Sequence, residues 1–281
     1  MQGVFFIAAC ASVLAVALIC IFLFANGIPA MKEIGFGNFL SGKMWKPKNE
    51  IFGILPMIVG SLYVTAGAII FGVPIGILTA VFMAYYCPKK IYKPLKAATE
   101  LLAGIPSVIY GFFGLVVVVP LIREFGTALY RAGLVSKPGN GNSILTASLI
   151  LGMMILPTII SVTEAAIQSV PESYYEGSLA LGATHERSIF CTIIPAAKSG
   201  IIAGIVLGIG RAIGETMAVI MVAGNQARMP AGLLRGVRTL TANIVLEMGY
   251  AADLHREALI ATGVVLFVFI LIINLAVSLL N

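Results

Sequence analysis

The amino-acid sequence predicts an all-α membrane protein with six transmembrane helices. Hydrophobic residues make up 59% of the 281 residues, charged residues make up 11%, and the mean hydropathy is +1.03. Soluble domains are about 45–50% apolar and about 25% charged, so these values exclude a soluble protein. Six apolar stretches are long enough to cross a bilayer. The predicted spans, within a single membrane domain of residues 1–281, are 4–25, 56–86, 98–122, 143–167, 200–225 and 257–280.

The first two predicted spans differ in glycine content. Span 4–25 contains no glycine, which is typical of a peripheral helix that faces lipid. In span 56–86, Ala68, Gly72 and Gly76 recur at every fourth residue and predict a face for close helix packing. The residues between these spans, 26–55, are predicted to form a loop in which the lone tryptophan, Trp45, is an interfacial anchor.

The third predicted span is interrupted near its start by Gly104 and Pro106. Proline removes a backbone donor and glycine weakens a helix, so this pair predicts a break. Irregular backbone at membrane depth is tolerated only against protein or a cavity. Ser107 and Tyr110, which follow the break, are therefore candidates to line a polar route, although each more often makes an interhelical hydrogen bond.

The fifth predicted span carries two charged residues near its middle, Arg211 and Glu215. A charge at that depth costs about 2.5–3.5 kcal/mol on insertion scales, so such residues usually face a cavity or pathway. Three glycines at every fourth residue predict another close-packing face: Gly200, Gly204 and Gly208. Thr216 and Asn225 are weaker candidates of the same kind as Ser107 and Tyr110. The alternative interpretation is that the charged residues form a structural pair that fixes helix packing.

Residues 169–195, between the fourth and fifth spans, are predicted to form two short helices. Pro171 suits the first turn of the first helix, and Gly182 suits the position after its end. Thr184 is a predicted N-cap for the second helix, which is expected to end before Pro195. Two interpretations stay open on these grounds, a knob for a partner's groove and an amphipathic linker at the membrane interface.

Charge counting does not orient the chain. Loops 86–97 and 168–198, which lie on one side in a six-span arrangement, hold six Lys or Arg residues, whereas the other three loops hold eleven. Both histidines, His185 and His255, fall in predicted loops and are expected to be solvated. Glu164 lies at the end of the fourth span and is expected to be interfacial.

The segment Glu176-Gly-Ser, followed by Gly182 and then Ile194-Pro195, resembles the EAA loop of ABC-importer permeases. The chain departs from that pattern at Gly177, Ser178 and Thr192. The resemblance implies a MetI-like permease fold with a cytoplasmic coupling loop at 169–195, and therefore cytoplasmic termini. It also implies contact with an ATPase dimer through Tyr174, Tyr175, Glu176, Gly182, Ala183 and Thr184.

Three further segments, 104–115, 211–225 and 238–251, resemble the C-type permease subunit of the phosphate ABC importers. That resemblance implies a multi-pass subunit of a bacterial or archaeal plasma membrane, surrounded by lipid. It implies inorganic phosphate as cargo, together with an A-type second permease subunit, the ATPase dimer and an extracytoplasmic phosphate-binding protein. Rival functions are import of another oxyanion, such as sulfate or molybdate, and secondary transport without ATP.

The chemistry of the charged pair is consistent with an anion as cargo. Arg211 presents a planar fork that matches two oxygens of a tetrahedral oxyanion. Glu215, four residues on, is expected to hold this guanidinium when no anion is present. Phosphate carries protons near neutral pH and can donate to a carboxylate, whereas sulfate cannot. We therefore expect Glu215 to help select phosphate over sulfate.

Several motifs are absent from the sequence. There is no phosphate-binding loop of the form G-x-x-x-x-G-K-[ST], so ATP and Mg²⁺ are expected on a partner ATPase. The zincin and serine-hydrolase motifs HExxH and GxSxG are also missing, which argues against an enzyme. The four cysteines show no metal-binding spacing, so no cofactor is expected in this chain, and no basic tail indicates nucleic acid.

Overall fold

The structure, a computed structural model, describes residues 1–135 and 137–279. Most of the described chain is helical. The first helices are α1 (Gln2–Ile34), α2 (Phe36–Ser41), α3 (Leu55–Val81), α4 (Lys89–Gly104), α5 (Ser107–Phe113), α6 (Val119–Arg131) and α7 (Ile144–Gln168). The remaining helices are α8 (Glu172–Ala180), α9 (His185–Ser188), α10 (Ile194–Ala196), α11 (Lys198–Gly214), α12 (Met217–Val222), α13 (Leu240–Met248) and α14 (Asp253–Leu279). Two short antiparallel strands, β1 (Trp45–Lys46) and β2 (Ile51–Phe52), form a hairpin between α2 and α3.

Five helices in the described ranges are long and apolar enough to cross a membrane unaided. They are Gln2–Ile34, Leu55–Tyr86, Ser107–Arg131, Ile144–Gln168 and Asp253–Ala276. A sixth span is obtained when His185–Ala196 and Lys198–Gly214, which meet at an angle of 70°, are counted together. The last residue of the predicted span 257–280 lies outside the described residues.

The predicted end of the first span, at residue 25, is wrong. Residues 26–34 continue α1 through Pro29, although the sequence predicted a loop there. Tertiary packing favours the longer helix, because Gly27 lies against Ala261 and Val264 of α14 so closely that a β-carbon would clash. The rest of α1 is exposed, as expected for a peripheral helix facing lipid.

The predicted break at Gly104 and Pro106 is confirmed, since α4 ends at Gly104 and α5 begins at Ser107. The predicted span 98–122 is nevertheless wrong at its start. Residues 98–104 belong to the amphipathic helix α4, whose lysines make it too polar to cross a bilayer. The membrane-crossing segment begins after the break and runs to Arg131.

Helix α7 lies at the centre of the bundle, with α3 and α11 packed against it. The two glycine faces predicted from the sequence make these contacts. A β-carbon on Gly72 or Gly76 of α3 would meet Ile155 or Ile159 of α7. Gly200, Gly204 and Gly208 of α11 face the same central helix at Ala166, Val162 and Ile159. The small residues therefore allow three helices to pack closely without interhelical charges.

Three π-helical turns each end two residues before a proline. Phe82–Tyr86 precedes Pro88, Gly114–Val118 precedes Pro120 in the third span, and Ile189–Ile193 precedes Pro195. A wider turn accommodates the missing proline N–H and the clash of its ring with the preceding turn. The second helix of segment 169–195 consequently continues through Pro195 to Ala196, so its predicted end before Pro195 is wrong.

Candidate functional site

The fifth predicted span is broken at Glu215. Helix α11 ends at Gly214, Glu215 has extended backbone angles (φ −70°, ψ 129°), and α12 begins at Met217. Glu215 Oε1 accepts hydrogen bonds from the backbone N–H groups of Thr216 (3.1 Å) and Ala218 (3.2 Å). The side chain thus satisfies donors at the start of α12, which stabilises a helix end inside the span. The predicted span 200–225 therefore consists of two helices with a break at Glu215 that the sequence did not predict.

Arg211 lies half-buried on the last turn of α11. Its Nη1 donates to Thr158 Oγ1 on α7 at 3.3 Å. Within the described ranges, no carboxylate lies within 4 Å of this guanidinium, because the ion pairs there involve only Lys96, Arg238 and His255. The expected i,i+4 pair with Glu215 is wrong, since the helix ends before Glu215 and its carboxylate turns towards α12. Within the part of the chain that the structure describes, Arg211 is therefore a cation on a membrane span with one hydrogen bond and no ion pair.

Three of the weaker candidates use their donors on backbone carbonyls. Tyr110 is buried and its hydroxyl donates to Leu102 O at 2.8 Å, which ties α5 to the end of α4. Thr216 Oγ1 donates to Gly214 O at 3.2 Å within the break. Asn225 Nδ2 donates to Ile220 O at 2.7 Å and satisfies a carbonyl at the end of α12. These three side chains shape the break, and their role as anion contacts stays a prediction.

The first turns of α5 and the whole of α12 lie side by side. A β-carbon on Gly111 of α5 would meet Ala218 and Met221 of α12. Ser107, half-buried at the first position of α5, and the Glu215 turn at the start of α12 therefore belong to one pair of packed helices. The structure thus brings the predicted break before Ser107 and the unpredicted break at Glu215 into neighbouring helices.

A second charged cluster, missed by the sequence analysis, surrounds Glu247 on α13. This carboxylate is 6% exposed and accepts from Arg238 Nη1 (2.5 Å) and Trp45 Nε1 (2.8 Å), and lies 2.9 Å from His255 Nε2. Arg238 also donates to Asn225 O and Asn243 Oδ1, both at 3.1 Å. The cluster ties the loop after α12 to α13, α14 and the β-hairpin.

Two predictions fail at this second cluster. Trp45 is buried against Phe52, so it is not an interfacial anchor. His255 lies in α14 and contacts Glu247, so it is not a solvated loop residue. The signal that could have revealed the cluster was the placement of an arginine, a glutamate and a histidine within one short polar stretch of a mostly apolar chain.

Glu164 near the end of α7 is also buried rather than interfacial, with 1% exposure. It accepts from Tyr92 (2.6 Å) and Lys96 (2.6 Å) of α4 and from Gln168 (3.2 Å). The hydrogen bond to Glu164 is the largest cause of the raised pKa of Lys96. This contact fixes the amphipathic helix α4 beside the end of α7 that leads into segment 169–195.

Segment 169–195 has the helix–turn–helix form that its sequence predicted. Helix α8 is followed by Gly182 in the left-handed region (φ +85°), and Thr184 Oγ1 accepts from Arg187 N at 3.3 Å as the N-cap of α9. Pro171 occupies the N-cap of α8, one position earlier than predicted. No residue of α8 is buried, so the helix projects from the bundle.

One face of this segment is nevertheless attached to the bundle. Tyr175 Oη lies 2.6 Å from His185 Nδ1, and both rings pack on Tyr85 in the π-helical turn Phe82–Tyr86, which continues α3. His185 is therefore not the solvated loop residue that was expected. Tyr174 and Leu181 point away, with 52% and 91% exposure. The exposed apolar side chains leave a surface suited to a partner.

The sequence matches the family model described as "Binding-protein-dependent transport system inner membrane component" over residues 72–281. It is 38% identical to the phosphate transport system permease protein PstC of Mesorhizobium japonicum, over 91% of this chain and 81% of that protein. It is also 38% identical to the probable ABC transporter permease protein YqgH of Bacillus subtilis, over 97% and 89% of the two chains.

Solved structures share the fold at lower identity. A bacterial ABC transporter involved in import of the polysaccharide alginate matches with a TM-score of 0.61 at 19% identity, over 97% of this chain and 95% of that chain. The MetNI methionine ABC transporter in an inward-facing conformation matches with a TM-score of 0.60 at 19% identity, over 84% and 97%. The chain described here therefore belongs to the family of binding-protein-dependent transport system inner membrane components.

Proposed function

We propose that this chain is the membrane subunit of an ATP-driven phosphate importer and forms half of its translocation pathway. The proposal rests on Arg211, whose guanidinium lies on a membrane span. Within the described residues this guanidinium donates one hydrogen bond, to the neutral hydroxyl of Thr158. Such a group is costly in a membrane unless a pathway or ligand uses it. The relatives named as phosphate permeases support phosphate as the anion.

In this proposal Arg211 binds the passing oxyanion weakly and for a short time. A guanidinium offers paired N–H groups that match two oxygens of phosphate. Arg211 has no carboxylate partner in the described ranges, so these N–H groups are available to an anion. Transport also requires that the anion bind weakly enough to be released. The turn at Glu215 and helix α12 supply polar backbone groups to the pathway at this depth.

Glu215 is proposed to contribute to selection of the anion. One carboxylate oxygen, Oε1, is used on the start of α12, whereas Oε2 has no hydrogen-bond partner in the part of the chain that is described. Phosphate with a bound proton can donate to that second oxygen, and sulfate cannot. A binding site discriminates strongly against a ligand that leaves one of the site's buried polar groups without a hydrogen-bond partner.

The variant Glu215→Gln tests this selection. Gln keeps one carbonyl oxygen for the cap and converts the second oxygen into a donor, so we expect the ratio of sulfate to phosphate uptake to rise. Glu215→Ala is the matched control, because it removes the cap as well and should cost about 1 kcal/mol of stability. An unchanged uptake ratio in Glu215→Gln would remove Glu215 from the selection mechanism.

Segment 169–195 is proposed to dock on a separate ATPase dimer, which carries ATP and Mg²⁺. Support comes from α8, which projects from the bundle with Tyr174 and Leu181 exposed. Tyr175 and His185 pack on Tyr85, so a displacement of α8 would act directly on α3. We further propose an A-type permease partner, an extracytoplasmic phosphate-binding protein and cytoplasmic chain termini.

The function is tested by reconstituting the chain with these partners in vesicles and measuring uptake of labelled phosphate. We expect ATP-dependent uptake of phosphate that exceeds uptake of sulfate or molybdate. Faster transport of either rival anion would assign the chain to another oxyanion importer. Uptake that persists without the ATPase would indicate a secondary transporter.

A further inference from the structure

A small polar cavity lies between the loop before α7 and the loop after α12. Its volume is about 60 Å³, and its polar lining comes from Asn140, Asn142, Gln226, Arg228 and Arg235. A water molecule occupies about 30 Å³ in the liquid, so the cavity accommodates a few waters or one small oxyanion. It is too small for a nucleotide or a peptide.

The cavity lies at the opposite end of the bundle from segment 169–195. Backbone hydrogen bonds of 3.0 Å join Ile144 N to Arg235 O and Leu145 N to Leu233 O, so the loop is attached to the first turn of α7. Helix α7 has 25 residues, and at 1.5 Å per residue it is about 37 Å long. Segment 169–195 follows the other end of that helix, so the cavity and the proposed ATPase contact are on opposite membrane faces.

The charges at this cavity all favour an anion. Two arginines line it, and none of the described residues that line it is acidic. Arg228 Nη2 donates to Gln226 Oε1 at 2.6 Å, which orients one guanidinium with a neutral partner. In the described ranges neither Arg228 nor Arg235 has a carboxylate within 4 Å. The positive end of the α7 dipole lies at the same place and adds to the field.

The cavity is close to the Arg211 turn along the chain. Helix α12, with six residues and a rise of about 9 Å, separates the turn at Glu215 from Gln226. The cavity therefore lies one short helix beyond the break that follows Arg211, on the same continuous stretch of chain.

We propose that this cavity is an outer subsite for a small oxyanion such as inorganic phosphate, occupied before the anion reaches Arg211. The two arginines supply the charge, and the amides of Asn140, Asn142 and Gln226 supply adaptable donors and acceptors. This inference rests on the proposed function, because it assigns the entry point of the same anion. It adds a second, peripheral site that receives the anion when the binding protein releases it.

The direct test measures binding of labelled inorganic phosphate to the permease–ATPase complex in lipid nanodiscs, without the binding protein. An Arg211→Gln background isolates the outer subsite. We expect phosphate binding that falls at least tenfold when Arg228→Gln and Arg235→Gln are added. Arg256→Gln, an exposed arginine in the first turn of α14, removes the same charge outside the cavity and should leave binding unchanged.

Other outcomes overturn the inference. If the Arg211→Gln complex binds no phosphate, or if the Arg228 and Arg235 substitutions leave binding equal to that of Arg256→Gln, the outer subsite does not exist. If they weaken only the association with the binding protein, the arginines form a protein contact instead. Failure of the proposed function would be seen separately, as absence of phosphate uptake by the fully assembled unsubstituted system.

Discussion

Arg238 and Arg211 are both partly buried, yet their surroundings differ sharply. Arg238 donates to a carboxylate, an amide oxygen and a backbone carbonyl, and its partner Glu247 is bonded in turn by Trp45. Arg211 donates to the hydroxyl of Thr158. Within the described residues Arg238 donates three hydrogen bonds to protein partners, one of them a carboxylate, whereas Arg211 donates one, to a neutral hydroxyl.

The difference separates two roles for a cation in a membrane protein. A guanidinium surrounded by oxygen acceptors fixes the position of several elements, and any ligand would have to displace those acceptors first. A guanidinium with a single neutral partner contributes little to packing and can accept an anion without breaking an ion pair. Stability should therefore depend on the Arg238 cluster, and transport should depend on Arg211.

The largest expected effect is at Glu247. Glu247→Ala leaves Arg238 without its carboxylate and Trp45 without its acceptor, and breaking such a buried pair costs about 3–5 kcal/mol. We expect a large decrease in the thermal unfolding temperature of the purified protein. Glu124→Ala, at an exposed position on α6, is the matched control and should change it little. Equal effects of the two substitutions would contradict a structural role for the cluster.

A smaller effect is expected where the chain is held by backbone geometry alone, in segment 169–195. Gly182 has a φ of +85° and open space around its α-carbon, so Gly182→Ala should cost about 1–2 kcal/mol through backbone strain. Gly177 lies in the middle of α8 with equally open surroundings. The substitution Gly177→Ala should therefore stabilise the folded protein by about 0.5–1 kcal/mol.

We expect the same glycine-to-alanine change to lower the free energy of unfolding at position 182 and to raise it at position 177. The measurement is the unfolding free energy of the two variants, followed by ATPase stimulation in the assembled system. Stabilisation by Gly182→Ala would mean that the turn after α8 does not have the left-handed backbone described here.

The smallest expected effect concerns Lys96, whose pKa lies above its ordinary value of 10.5 chiefly because it donates a hydrogen bond to Glu164. A raised lysine pKa means that the folded state binds this proton more tightly than the unfolded state. The resulting stabilisation is fully present below about pH 10.5 and is lost as the pH rises through the higher folded value.

The unfolding temperature of Lys96→Gln should therefore lie below that of the unsubstituted protein at pH 8, and the difference should shrink above pH 10.5. Lys93→Gln, at an exposed position on the same helix, should show no such pH dependence. A difference that stays constant up to pH 11.5 would contradict the contribution of the Lys96–Glu164 contact.

Much of the fold could be predicted from local patterns. The two glycine faces, the break before Ser107, the turn at Gly182 and the cap at Thr184 each follow from one residue type at one position, and the structure confirms them. The errors arise where distant parts of the chain meet. The end of α1 stays helical because α14 packs on Gly27, a contact between residues more than 230 positions apart.

The candidate site was predictable only in part for the same reason. An arginine and a glutamate in one apolar span indicated a functional position, and Arg211 remains the principal candidate. The helix break at Glu215 was missed, because the competition of its carboxylate for the N–H groups of α12 has no distinctive pattern. In the Glu247 cluster, Arg238, Glu247 and His255 lie close together in the sequence, but the contact of Glu247 with Trp45 joins residues 202 positions apart and could not be predicted from local spacing.

The most direct test compares Arg211→Gln with Arg238→Gln in one preparation, measuring both phosphate uptake and unfolding temperature. We expect Arg211→Gln to reduce uptake at least tenfold while the unfolding temperature changes by less than about 2 °C, the shift that roughly 1 kcal/mol produces in a chain of this size. Arg238→Gln should lower the unfolding temperature by more than that. Normal uptake by Arg211→Gln, or a loss of stability equal to that of Arg238→Gln, would contradict the assignment of Arg211 to the transport pathway.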